Sequence, residues 1–257
     1  MAIYEITFSP TGGTKKVSHL LKSAWKTEAK EIDLMNRNTD FSKYVFQEED
    51  ISFVAVPSYG GRIPAPAAER LKQLEGNGSR AVLLVVYGNR AYDDTLLELS
   101  DILTADGFVC RGACTAVAEH SILRQFAAGR PDAMDETELK VFSEQLKHAL
   151  EHETDGELDL PGKRPYVEFG GLPMVPKTGK DCTECGACVS HCPTGAIKTP
   201  KETDKELCIA CMGCIAVCPE HVRSVNPILL KGAGMKMKKA LSGRKPNELF
   251  LPKKKRG

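Results

Sequence analysis

The sequence predicts a doubly wound, five-stranded parallel α/β domain followed by a small α+β domain organised around cysteines. Three observations carry this expectation. Over residues 1–151, short β-rich runs alternate with stretches of helical period, as a parallel sheet with crossover helices requires. A Pro- and Gly-rich stretch, 152–180, then interrupts the alternation. Beyond it, one cysteine spacing occurs twice within residues 181–226, and a basic tail, 227–257, follows.

The predicted strands are 2–8, 29–35, 51–56, 81–87 and 108–118. Between them, Val17, Leu20, Leu21 and Ala24 mark one apolar helix face, Ala67, Leu71 and Leu74 a second, and Leu96, Leu99 and Leu103 a third. Leu139, Phe142, Leu146 and Leu150 mark the last. Residues 36–49 form a weaker helix prediction, 236–241 a short one. Trp25 reads as packing beside the first helix face. Cys110 and Cys114 read as small buried residues on one face of the fifth strand. Gly76, Asn77 and Gly78 precede a strand and form only a turn.

With 257 residues, 42% apolar and 27% charged, the chain suits one ordinary domain plus a small one, and disorder as the whole answer is excluded. Its longest apolar runs, such as 81–87, fall far short of the roughly 20 residues that span a bilayer, so no membrane span is expected. The N-terminus lacks the charged head, apolar run and cleavage site of a secretory signal; a cytoplasmic protein is expected. The net charge of +1 hides a polarity. Residues 1–155 hold 17 Lys and Arg against 24 Asp and Glu, the remainder 18 against 10, and the last thirty residues 10 against 1. Lys253, Lys254, Lys255 and Arg256 come without a groove-reading motif, so no nucleic-acid partner is expected. They read as a solvated end, or one attracted to the acidic half or an acidic partner.

The first strand runs into Ser9, Pro10, Thr11, Gly12, Gly13 and Thr14 and then a helix, which points N–H groups and hydroxyls at an anion. A triphosphate loop would need an inward lysine and a dinucleotide fold a G-x-G-x-x-G, and both are missing. A monophosphate ester fits. After the third predicted strand come Pro57, Ser58, Tyr59, Gly60, Gly61 and Arg62; after the fourth, Gly88, Asn89, Arg90, Ala91 and Tyr92. Each loop sets an aromatic residue among glycines or small residues, as stacking on a flat ring requires, which makes Tyr59 and Tyr92 the stacking candidates. Asp93 and Asp94 read as N-caps of the next helix. His120 and Ser121 end the fifth strand at the same sheet edge; a plain strand-end histidine is the simpler reading.

The cysteines follow C-x2-C-x2-C-x3-C-P twice, each copy offset by 26 residues, from Cys182 to Cys208. Three evenly spaced thiolates on one loop suit a face of an iron–sulfur cubane better than a zinc-stapled module, which is the alternative. In this spacing the fourth cysteine of each run ligates the other cluster. Cluster one is then expected on Cys182, Cys185, Cys188 and Cys218, and cluster two on Cys208, Cys211, Cys214 and Cys192. Gly186, Ala187, Ala210 and Gly213 let N–H groups approach the sulfurs, and Ile197, Ile209, Ile215 and Val222 exclude water. After Cys218 and Pro219 the second run departs from the first, so its turn is expected to differ. Arg223 there reads as a solvated surface residue, and His191 as exposed.

On these motifs, residues 181–226 resemble bacterial two-cluster [4Fe–4S] ferredoxins. The loops of the first domain resemble those of flavodoxins, which implies a 2-1-3-4-5 strand order and FMN at Ser9, Thr11, Gly12, Gly13, Thr14, Pro57, Ser58, Tyr59, Gly60, Gly61, Gly88, Asn89, Arg90 and Tyr92. The whole chain resembles the flavodoxin–ferredoxin fusion proteins of anaerobic microbes. That resemblance implies FMN, two [4Fe–4S] clusters and electron transfer with a redox protein as donor or acceptor, and no catalytic side chain is assigned. The alternative is an FMN-dependent reductase of a small organic acceptor fed through the ferredoxin domain. A third reading is a sensing module with an empty flavin pocket.

Overall fold

The computed structural model describes residues 1–152 and 156–253. In chain order the first domain contains β1 (Ile3–Thr7), α1 (Gly13–Leu21), β2 (Lys30–Asp33), β3 (Ile51–Pro57), α2 (Ala65–Leu71), β4 (Arg80–Tyr87), α3 (Thr95–Ala105), β5 (Val109–Val117) and α4 (Ala133–Glu151). Its five strands are parallel in the order 2-1-3-4-5. Helices cover both faces, so the central strands β1 and β3 are buried along their whole length. On one face Ile6, Val54 and Leu83 pack with Leu71 and Leu99; on the other Ile3, Phe53 and Leu84 pack with Val17, Leu21 and Leu146. Trp25 packs edge-on against Phe53.

Two local expectations change. Residues 36–49 contain only a short 3-10 turn, Phe41–Lys43. There the Asn36, Asp40 and Asp50 side chains accept from nearby backbone N–H groups, offering the chain an alternative to helical bonding. Cys110 and Cys114 also fall in opposite cores, because a register shift opposite Ala81 and Val82 reverses the alternation between them.

The second domain is built from β6 (Lys177–Thr178), α5 (Ala187–Ser190), β7 (Ile197–Thr199), β8 (Glu202–Thr203), α6 (Gly213–Ala216) and β9 (Arg223–Ser224). Two small antiparallel ladders, β6 with β9 and β7 with β8, repeat the duplication. Glu184, Gly186 and Gly195 take left-handed backbone conformations, and so do their counterparts 26 residues on, Ala210, Met212 and His221. The turn after Cys218 therefore keeps the shape of the turn after Cys192, contrary to expectation, because His221 adopts the left-handed position of Gly195 (φ 52° against 68°).

The chain then returns to the first domain. Asn226 caps α7 (Pro227–Leu241), longer than predicted, and β10 (Glu248–Phe250) adds an antiparallel strand to the free edge of β5. Arg244 pairs with Asp132 and Asp135 of the acidic half, and Lys253 with Asp159 of the connector. The rest of the basic run, Lys254, Lys255 and Arg256, lies outside the described residues. The connector is fastened as well. Asp94 does not use its side chain as a cap but accepts from the Lys163 and Val167 N–H groups, and Arg164 pairs with Asp101. Among the described residues no helix is long and apolar enough to cross a membrane.

Candidate functional site

The loops after β1, β3, β4 and β5 enclose a cleft of about 240 Å³ at the carboxyl edge of the sheet. Thr11, Gly13 and Thr14 line its end at the start of α1, where the first N–H groups of a helix lack intrahelical partners. No lysine enters: Lys15 pairs with Glu31, and Lys16 donates to the Pro131 carbonyl. Pro57, Ser58, Tyr59 and Gly60 form one side, Gly88 and Arg90 another. At Gly60 a Cβ would lie 2.0 Å from the Phe169 ring, so only glycine lets the two approach.

Five expected residues are not on the cleft wall. The Ser9 hydroxyl accepts from the Lys15 N–H, Gly12 is exposed beside the loop, and Gly61 packs against Asp93 and Val167. Tyr92 donates to Glu248 Oε2 at 2.8 Å and packs edge-on against Tyr87, which removes it as a stacking candidate. Asn89 is buried beneath the tail, its Nδ2 donating to the Leu241 and Gly243 carbonyls. Both corrections share a cause: β10 and its approach occupy the edge that the sequence left open.

Other segments complete the cleft. The connector contributes Phe169, Leu172 and Met174, α7 contributes Ala233 and Met237, and the cysteine domain Ile209 and Ala210. The signal in the connector was apolar residues among its prolines and glycines; nothing local marked the α7 residues. His120 and Ser121 also line the wall. His120 Nδ1 accepts from the Ile122 and Leu123 N–H groups at 3.2 and 3.3 Å, and burial lowers its pKa. The ring is therefore neutral, with its proton on Nε2.

The eight cysteines line two separate cavities. Cys182, Cys185, Cys188 and Cys218 meet at one, and Cys192, Cys208, Cys211 and Cys214 at the other. Each cavity takes three residues of one run and the fourth of the other. Within the loops the Glu184 N–H donates to Cys182 Sγ, and the Ala210 N–H acts in the same way on Cys208. Burial pushes the Cys211 thiol up to about 12, and raises Cys214 and Cys208 against the pull of Arg223. Such thiols give up their protons to a metal rather than to water, so metal binding here releases protons.

The second cavity faces the cleft, and Ile209 stands in both walls. Burial holds the Tyr59 phenol well above its usual pKa. His191 is half-buried rather than exposed, its Nε2 2.8 Å from the Pro10 carbonyl. Arg37 donates to the Val189 and Cys192 carbonyls and Arg70 to that of Pro193. Arg223 is buried, not solvated.

Strand order, switch-point cleft and duplicated cysteine quartets define a flavodoxin-like domain joined to a 4Fe–4S ferredoxin domain. Residues 180–198 match the 4Fe-4S binding domain family. Over 78 residues, 28% of this chain and 34% of the relative, the sequence is 41% identical to the protein NrfC homolog of Haemophilus influenzae. It is 46% identical over 52 residues to the thiosulfate reductase electron transfer subunit PhsB of Salmonella typhi, 18% of this chain and 27% of the relative. The chain thus spans about a third or less of the length of these two relatives. Among solved structures, a Streptococcus pneumoniae flavodoxin is similar at 21% identity, with 57% of this chain and 99% of that one covered and a TM-score of 0.41. A Fusobacterium nucleatum flavodoxin bound to flavin mononucleotide is similar at 15% identity, with 58% and 98% covered and a TM-score of 0.41.

Proposed function

We propose that the protein passes electrons between two [4Fe–4S] clusters and an FMN held in the cleft. The observation that carries this reading is the shared wall: Ile209 lines both the cleft and the second cysteine cavity. Cluster one would sit on Cys182, Cys185, Cys188 and Cys218, and cluster two on Cys192, Cys208, Cys211 and Cys214. Four thiols converging on each cavity, with N–H groups aimed at sulfur, suit a cubane.

The cleft suits a monophosphate ester carrying a flat ring. Thr11, Gly13 and Thr14 would receive the phosphate, with Ser9 and Gly12 shaping the loop from behind. Tyr59, Gly60, Gly88 and Arg90 would border the ring, and His120 offers a fixed Nε2–H donor. Bound FMN would store one or two electrons, where each cubane carries one at a time.

The chain's own residues position and screen these groups. Arg37 and Arg70 hold the end of the first cysteine run against the first domain, and His191 of that run meets the phosphate loop at Pro10. Phe169, Leu172, Met174 and Met237 roof the cleft, which favours a carrier over the reductase alternative, since a small organic acceptor would have to displace them. Cys185 is exposed, so the first quartet is the natural port for a redox protein. Residues 1–151 and 181–226 would be the two cofactor domains, with 152–180 and 227–253 strapping one to the other.

The test is an anaerobic preparation of the full chain assayed for iron, sulfide and flavin, followed by reductive titration with visible and EPR spectra. About eight irons, one FMN and electrons equilibrating among all three groups are expected. Eight irons without flavin would withdraw the cleft assignment.

A further inference from the structure

We infer that Arg223 is a counter-cation shared by both clusters and holds their reduction potentials up; the inference rests on the two-cluster reading above. The duplication supplies the first argument. An offset of 26 places Arg223 where the first half has Ile197, each opening the short strand after its Cys-Pro turn. Ile197 is 3% exposed and Arg223 2%. An apolar side chain fills this position in one half, so packing alone does not call for a guanidinium in the other.

The second argument is charge. Arg223 Nη1 donates to Thr178 Oγ1 at 2.7 Å and to the Pro200 carbonyl at 2.9 Å; Nη2 donates to Thr203 Oγ1 at 2.9 Å and to the Pro176 carbonyl at 3.4 Å. Cys188 Sγ lies 3.8 Å from Nη1, and among the described residues the buried Nε has no hydrogen-bond partner. None of these partners is a carboxylate. A buried cation is costly unless an anion answers it, and the anionic groups at hand are thiolates. Cys188 belongs to the first quartet, whose cavity Arg223 itself lines; two other partners of the guanidinium, Pro176 and Thr203, line the cavity of the second.

Reduction of a cubane adds one electron, with no bond made or broken, to a group already negative through its four thiolates. A fixed cation at its edge, screened from water, favours the reduced form. The Thr178 and Thr203 hydroxyls hold the guanidinium in place between the quartets.

The test uses the full chain prepared anaerobically, with iron and sulfide counted first. Fewer than eight irons in the unaltered chain would refute the two-cluster reading itself, before any variant is compared. With eight, EPR-monitored potentiometry against dithionite reads both clusters. Arg223→Ile, which installs the residue of the other half, should make reduction of both clusters about tenfold less favourable, a downward shift of about 59 mV. Arg223→Lys should retain most of the original potentials. Unchanged potentials in a fully loaded Arg223→Ile chain would overturn the inference, as would a Lys variant shifted as far as the Ile variant. Should Arg223→Ile fail to hold iron, Thr203→Asp sets a carboxylate against the guanidinium and must lower both potentials; no change there overturns the inference equally.

Discussion

Asn89 separates two assignments of one residue. As a flavin contact, its loss would weaken flavin binding; as the latch of the C-terminal segment, its loss would weaken the fold. The residue is 2% exposed, with Nδ2 2.6 Å from the Leu241 carbonyl and 2.7 Å from that of Gly243, and Oδ1 accepting from the Lys245 N–H at 3.3 Å. Three hydrogen bonds at about 1 kcal/mol each give roughly 3 kcal/mol for Asn89→Gly, on the order of a hundredfold in the folding equilibrium. Asn89 also has φ of 67°, a left-handed conformation that alanine disfavours by about 1 kcal/mol or more. Asn89→Ala should therefore be the less stable of the two by about that amount. The assay is anaerobic urea unfolding of the full chain, read beside flavin affinity by fluorescence and proteolysis between α7 and β10. Expected are lower unfolding midpoints in the order Gly, then Ala, and faster cleavage after Leu241. Weakened flavin binding with unchanged midpoints would refute the latch and restore Asn89 to the cleft.

The other tests of the fold and cleft are simpler. Tyr92→Phe removes the bond to Glu248 and should cost about 1 kcal/mol, and Tyr92→Leu, which removes the ring, should leave flavin affinity intact; lost flavin in the Leu variant would return Tyr92 to a stacking role. Phe169→Ala opens the roof over Gly60 and should speed reaction of the reduced protein with a small quinone, measured by stopped flow; an unchanged rate would show that the roof does not screen the cleft. Acid should loosen the tail. Arg244 holds Asp132 well below the usual carboxylate range, and Asp135, raised by burial, is brought down by Arg130, the Asp132 N–H and Asn247. With folded values below the unfolded one of about 3.9, their contribution is present above roughly pH 4 and lost as pH falls through the folded values. Arg244→Ala should flatten the fall in unfolding midpoint below about pH 5; an unaltered profile would remove Arg244 as its cause.

The five strands were legible because both faces of a parallel sheet are covered, so each strand reads as an apolar run. The cysteine quartets were legible because the spacing that sets three thiols on one loop also brings the fourth of the other run to the same cavity. The contacts of Asn89 and Tyr92 with the C-terminal segment were not legible for one reason: each sits on a loop at the switch edge, and nothing near residue 90 announces that Leu241, Gly243 and Glu248 come back to meet it. Arg223 was misread because an arginine's prior is solvent, although aligning the two halves sets it against the apolar Ile197. His120 was noticed at the right edge, but its fixed tautomer depends on two backbone N–H groups of a loop whose path the sequence does not specify.

Crossed quartets have a consequence that uncrossed ones lack. Cys218 is distant in sequence from Cys182, Cys185 and Cys188, yet it shares their cavity, the one reached from outside through exposed Cys185. Cys192 is grouped with Cys208, Cys211 and Cys214, whose cavity shares Ile209 with the cleft. Cys218→Ser should therefore impair cluster one, so that iron falls from about eight toward four. Exchange between flavin and the remaining cluster should stay fast, while reduction by an external ferredoxin slows. Cys192→Ser should do the reverse, leaving an outer cluster that accepts electrons and a flavin that fills slowly. Stopped-flow reduction followed at flavin and cluster wavelengths distinguishes the two. If each variant behaved as the other is expected to, each run would hold its own cluster, and the route from port to cleft would have to be redrawn.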